Sequence, residues 1–156
     1  MRNSEESAMT IQMRWTMFQV FLLILVCWSG WCSEKESQRN VAKELEGEWR
    51  LIELHDLTER VKIPAGVEVS FRLEKGGRIS GCSGVNRFFG KVKARDGQWQ
   101  VKGPLGGTMM AGEEAAMHVE MRFLKGIKWV TRYKLRDDEL ELTGKGFLLK
   151  LKRVTP

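Results

Sequence analysis

Val67-Glu68-Val69-Ser70-Phe71-Arg72-Leu73-Glu74 places an apolar side chain at every second position and a polar or charged one between. Successive side chains of an extended strand leave on opposite faces, so this spacing makes one face to bury and one to leave in water. A helix would scatter the same four apolar residues round its axis. The alternation returns at Trp129, Thr131, Tyr133 and Leu135, set against Val130, Arg132, Lys134 and Arg136. Shorter runs at 49–54, 78–82, 88–94, 98–102, 139–143 and 147–154 repeat it. Turn formers stand between them: Gly76-Gly77, Asp96-Gly97, Asp137-Asp138 and Gly144-Lys145-Gly146. About eight short strands at close spacing predict a mainly β fold, a small antiparallel open barrel or meander with one helix packed on it.

That helix is the segment 113–125, EEAAMHVEMRFLK. Ala116, Met117, Glu120, Met121, Phe123 and Leu124 gather near one side at helical spacing. Glu113 and Glu114 stand at the start, where the helix dipole favours acids, and Gly126 follows the end. It falls between the fifth and sixth strands, and the plain reading of its stripe is a cover over an open side or end of the sheet. A partner-binding groove is the other reading.

Upstream of the strands the chain changes character. Residues 15–31 (WTMFQVFLLILVCWSGW) carry no charge and hold three of the six tryptophans, with Cys27 inside the run and Cys32 directly after it. Arg14 precedes an apolar core from Met17 to Val26, and small residues follow before Glu34-Lys35-Glu36. A positive charge, a short apolar core and small residues, in that order, are the pattern of a secretory signal, and the core is short for a membrane span of about 20 residues. The organisation expected is a signal or lipoprotein-type leader, or an N-terminal membrane anchor, at 1–32; a polar tether at 33–44; and a β domain at 45–156. Cys32 is a candidate lipidation site, with Ser29 and Gly30 suitably placed and Trp31 a departure from the small residue usual before the cleavage point. Glu5 and Glu6 do not suit a basic leader, which points to a start at Met13. Each of these readings puts the domain outside the cytoplasm, in the bacterial cell envelope, either membrane-anchored or periplasmic.

A formal charge of +6 over 156 residues fits nucleic acid, an anionic lipid surface or an anionic envelope polymer equally well. The basic residues of the outer strand faces (Lys91, Lys93, Arg132, Lys134, Arg136, Lys150, Lys152, Arg153) are not interleaved with aromatics as in an oligonucleotide platform, so no nucleic-acid partner is expected. The expected partners are the membrane, through the N-terminal segment, and an envelope protein or anionic envelope component. His55 and His118 are the residues suited to acid–base work. Neither belongs to a His-x-x-x-His, Cys-x-x-Cys or Gly-x-Ser-x-Gly pattern, so no catalytic residue, metal ligand or cofactor site is assigned. Cys82, the one cysteine in the β domain, reads as a small core side chain.

The motifs of this chain, in their order, resemble those of the META domain family, the family of the bacterial heat-shock protein HslJ. Gly47-Glu48-Trp49-Arg50-Leu51 matches its opening strand. The stretch from Ser80 through Gly81, Cys82, Ser83, Gly84, Val85, Asn86 and Arg87 to Gly90 is similar to its Gly- and Asn-containing motif. Thr108-Met109-Met110-Ala111-Gly112 looks like its Thr-x-Met-Ala-Cys, and Met117, Glu120, Phe123 and Leu124 match its helix. The resemblance implies a small β barrel with a helix, often an envelope lipoprotein tied to stress or antibiotic tolerance, and no known reaction. It marks Gly47, Trp49, Gly81, Gly84, Asn86, Arg87, Gly90, Thr108, Met110 and Glu120, which are assigned to holding the fold. Val85 and Gly112 stand where family members often carry cysteine, which implies that these positions lie close in space.

Three functions follow for comparison. The first is an exported, membrane-associated, non-enzymatic envelope protein. The second is a carrier of a small apolar ligand, which requires Trp49, Phe71, Trp99, Tyr133 and Phe147 to line a cavity instead of filling the barrel. The third is a hydrolase, which requires His55 or His118 beside a nucleophile.

Overall fold

A computed structural model describes residues 40–57 and 59–155. The leader, Cys32, the start at Met13 and the first part of the tether lie outside the described residues. The strands are β1 (Gly47–Asp56), β2 (Glu59–Arg60), β3 (Ser70–Leu73), β4 (Arg78–Cys82), β5 (Arg87–Arg95), β6 (Gln98–Gly107), β7 (Arg132–Arg136), β8 (Glu139–Gly144) and β9 (Phe147–Arg153). Among the described residues one α-helix, α1 (Glu114–Trp129), joins β6 to β7.

β1 serves two neighbours along one edge. Its first half pairs with β3 (Trp49↔Phe71) and its last residues with the short β2 (Asp56↔Glu59). Its other edge pairs with β9, from Trp49↔Arg153 to Asp56↔Phe147. This last ladder closes β1 and β3 to β9 into an eight-stranded antiparallel barrel. The barrel is thus closed where strand alternation alone allows an open one, and closure leaves no long unpaired edge among the described strands for another chain to extend. The alternating registers turn Trp49, Phe71, Leu73, Ile79, Trp99, Leu140, Leu142 and Leu149 inward, each no more than 2% exposed.

The seam between β6 and β7 is thin. It consists of the pair Gln98↔Arg132 with flanking bonds from the Trp99 amide to Thr131 O and the Tyr133 amide to Gly97 O, both 2.9 Å. α1 braces it, since Ile127 O accepts the Trp99 indole N–H at 3.2 Å.

The helix departs from its expected form in three ways. Its buried stripe is Ala116, Val119, Glu120, Phe123, Gly126 and Ile127, a strict 3–4 spacing, whereas Met121 is 57% exposed. Gly126 does not stop the helix. It is buried where the helix meets β9, and a Cβ there would stand 2.9 Å from Phe147 Cδ1. Trp129 therefore ends the helix and does not begin a strand, so alternation from 129 was a coincidence of spacing until β7 starts at Arg132.

The domain also begins earlier than residue 45. Val41 forms a parallel bridge with Ala94 and is fully buried, and a 3-10 turn at Lys43–Leu45 buries Leu45. Two isolated apolar residues in a polar stretch carry no periodicity, so only tertiary contact identifies them as core.

Candidate functional site

The chain crosses from β4 to β5 through Ser83-Gly84-Val85-Asn86, and this turn lies against the first turns of α1. Glu120, 7% exposed, reaches into it. Its Oε2 accepts the Asn86 amide at 2.7 Å, the Val85 amide at 3.1 Å and the Ser83 hydroxyl at 2.7 Å, while Oε1 accepts Asn86 Nδ2 at 2.8 Å. Burial pushes the carboxyl pKa up, but these bonds, led by that from the Asn86 side chain and then Ser83, outweigh it and hold Glu120 below the ordinary carboxylate value.

Asn86 extends the network outward. Its Oδ1 accepts the Met110 amide at 2.7 Å and the Thr108 hydroxyl at 2.8 Å, and its Nδ2 also donates to Met110 O at 3.1 Å. Thr108 Oγ1 accepts the Arg87 amide at 3.1 Å, and Arg87 O accepts the Thr108 amide at 3.0 Å. Five of the marked residues, Asn86, Arg87, Thr108, Met110 and Glu120, thus meet in one polar latch joining the β4–β5 turn, the segment after β6 and α1. Ser83, inside the motif but not singled out, completes it; its fully buried hydroxyl is the signal that only the structure supplies.

Of the other marked residues, Gly81, Gly90, Gly47 and Trp49 lie outside the latch. Gly84 is in the latch turn. Gly81 pairs with Phe71 and Phe88, where a Cβ would stand 2.0 Å from Ser70 O, so β3 and β4 meet only because that side chain is missing. Gly90 follows along β5. Gly47 opens β1, and Trp49 donates its indole N–H to Leu45 O at 2.9 Å with the Arg153 guanidinium 4.2 Å over its ring. Next to the latch, a Cβ on Gly112 would lie 3.3 Å from Val85 Cβ, slightly closer than the two Cβ atoms of a disulfide and within reach of one after a small shift. The two positions are neighbours, as their joint departure from the family pattern implied.

Catalytic geometry is not assembled around the histidines. His55 Nε2 lies 2.6 Å from Glu53 Oε1, and Glu53 also faces Lys150 at 3.2 Å; the bond with His55 first, then that with Lys150, lowers the Glu53 pKa. His118, exposed, accepts from Arg122 Nε at 3.4 Å, and Arg122 pairs with the buried Asp56. Among the described residues neither histidine has a hydroxyl or thiol as hydrogen-bond partner. An open groove runs between β2 and α1, bordered by Arg60, Lys62, Pro64, Glu113, Met117 and Met121. Cys82 is half-buried and not a core residue, because Ile79 and the neighbouring strands take the inward positions.

Inside the barrel, Trp49, Phe71, Trp99 and Phe147 are at most 3% exposed and Tyr133 8%, with Phe71 and Trp99 rings 6.2 Å apart. These side chains fill the interior, which weighs against the carrier.

No curated protein matches the chain. A protein from Burkholderia xenovorans, solved by NMR, is similar in structure with a TM-score of 0.62 at 24% identity, covering 73% of this chain and 86% of that one. A second protein solved by NMR gives a TM-score of 0.54 at 20% identity, over 71% of this chain and 92% of that one. At such identities the likeness concerns the fold alone. Residues 42–155 match the META domain, a span that takes in the closed barrel, the latch and α1, and the chain belongs to that family.

Proposed function

We propose that this protein is exported, membrane-associated and non-enzymatic, and supports the cell envelope under stress, antibiotic exposure included, by binding an envelope component or a partner protein. The observation that carries this reading is the order Arg14, apolar core, Ser29-Gly30 and Cys32 placed directly ahead of a META domain. The use of the polar groups supports it. Glu120, Asn86, Ser83 and Thr108 spend their hydrogen-bonding capacity on one another and on backbone, which holds elements together and leaves none of the four poised as an acid, base or nucleophile.

The test is mass spectrometry of the protein extracted from membranes of the native host, with identification of whatever co-purifies. The expected result is a chain beginning at Cys32 with added lipid mass, or a chain beginning at Met13 that stays with the membrane. Recovery of an unprocessed, unmodified chain from the soluble cytoplasmic fraction would end the proposal.

A further inference from the structure

Among the described residues, four non-glycine residues have a left-handed backbone: Leu57 (φ 56°), Asp96 (φ 54°), Asp137 (φ 49°) and Lys145 (φ 48°). The two aspartates are turn residues that tolerate it, but a leucine and a lysine resist it, since Cβ crowds the carbonyl. These two occupy one place. Gly146 O accepts the Leu57 amide at 2.7 Å, and the Leu57 side chain, 62% exposed, lies over Gly146. Lys145 turns toward Trp129, its Nζ 5.7 Å from the ring centre.

Trp129 is 42% exposed at the end of α1, packed edge-on against Phe147 with centroids 6.0 Å apart. Lys125 Nζ stands 5.1 Å from its ring centre, and Lys128 is exposed one residue before it. Among the described residues, Lys125, Lys128 and Lys145 form no salt bridge. Arg50, Arg60, Arg72, Arg122, Lys150 and Arg153 each face a carboxylate. Lys125 and Lys145 thus stand over the Trp129 ring without a carboxylate partner, Lys128 is exposed beside it on the helix, and next to Lys145 a leucine is held outward by strained backbone.

We infer that this patch is a docking surface for an anionic phospholipid membrane. Tryptophan settles at headgroup depth, lysine stems lie along the apolar rim while their heads reach phosphate, and Leu57 supplies a short apolar wedge. A protein partner fits less well. Two exposed apolar residues fall far short of the roughly 800 Å² per side of a stable interface, and the centre of such interfaces is depleted in lysine. The patch belongs to the barrel and owes nothing to the leader.

The test is co-sedimentation of the full chain with phosphatidylcholine vesicles and with vesicles of equal phosphatidylcholine and phosphatidylglycerol. Residues 15–31 carry no charge, so leader insertion largely cancels in the ratio of the two affinities. Wild type is expected to prefer the mixed vesicles. Replacing Lys125, Lys128 and Lys145 by glutamine lowers the preference about a hundredfold, at about fivefold per lysine. The same replacement at the exposed Lys91, Lys93 and Lys102 of β5 and β6 has a far smaller effect. Trp129→Ala and Leu57→Gly each weaken binding to mixed vesicles about tenfold. Leu57→Gly relaxes the backbone, so its melting temperature stays level or rises, which separates lost docking from lost folding. No anionic preference in wild type, equal losses in the two lysine triples, or undiminished binding by Leu57→Gly overturns the inference.

Discussion

At Glu120 a carboxylate exchanges water for three protein donors on one oxygen and a fourth on the other, and the arrangement has a measurable sign. A folded-state pKa below the ordinary 4.5 means that Glu120 contributes stability fully present above that value and lost as pH falls through the lower folded value. Glu120→Ala is expected to cost about 3 kcal/mol at neutral pH, since the Ser83 hydroxyl and the Asn86 amide lose their acceptor inside the protein. Glu120→Gln turns an amide toward groups that are themselves donors and costs about 2 kcal/mol. In both variants the fall in stability below pH 4.5 becomes shallower, as urea titrations at pH 7 and at acid pH will measure; an unchanged slope contradicts the latch. The family pattern marks Glu120 and Asn86 but not the bond that Ser83 donates to Glu120, because a buried carboxylate takes its meaning from partners 34 to 37 positions away.

Among elements, the contact of the β4–β5 turn with the segment after β6 rests on Asn86 and Thr108, beside Val85 and Gly112, the two positions where the family resemblance implies cysteines. Val85→Cys with Gly112→Cys restores that pair in this chain. The bridge closes the 27 positions from 85 to 112 and is expected to raise stability by about 3 kcal/mol when oxidised and by nothing when reduced. Peptide mapping confirms the bond, and thermal melts with and without reductant measure its effect. A bond that fails to form would show that the two segments are not held together in solution. Strands were the legible elements, because a one-faced sheet writes its period directly into the sequence. The helix was legible in place but not in extent. Gly126 reads as a terminator in isolation, and only the Phe147 ring beside it shows that the helix passes through to reach Trp129.

For the whole molecule, closure is the property least visible in the sequence, because the β1–β9 pairing joins residues about a hundred positions apart and no local signal sets its register. Closure also distributes stability unevenly. The β1–β9 ladder runs from Trp49↔Arg153 to Asp56↔Phe147, while β6 meets β7 at Gln98↔Arg132 and two flanking bonds. Opening the barrel at β6–β7 breaks the fewest backbone bonds and leaves both strands paired on their far sides to β5 and β8. Sub-global opening is drawn to such places. Native-state hydrogen exchange is therefore expected to show the Trp99 and Tyr133 amides, which bridge this seam, exchanging at a lower free energy than the amides of the β1–β9 ladder. Trp99→Phe removes the indole bond to Ile127 O, freeing α1 from the seam, and widens the difference without emptying the core. If Trp99 and Tyr133 exchange with the slowest amides instead, the helix brace and not the strand pairing sets the strength of the seam, and the barrel opens elsewhere.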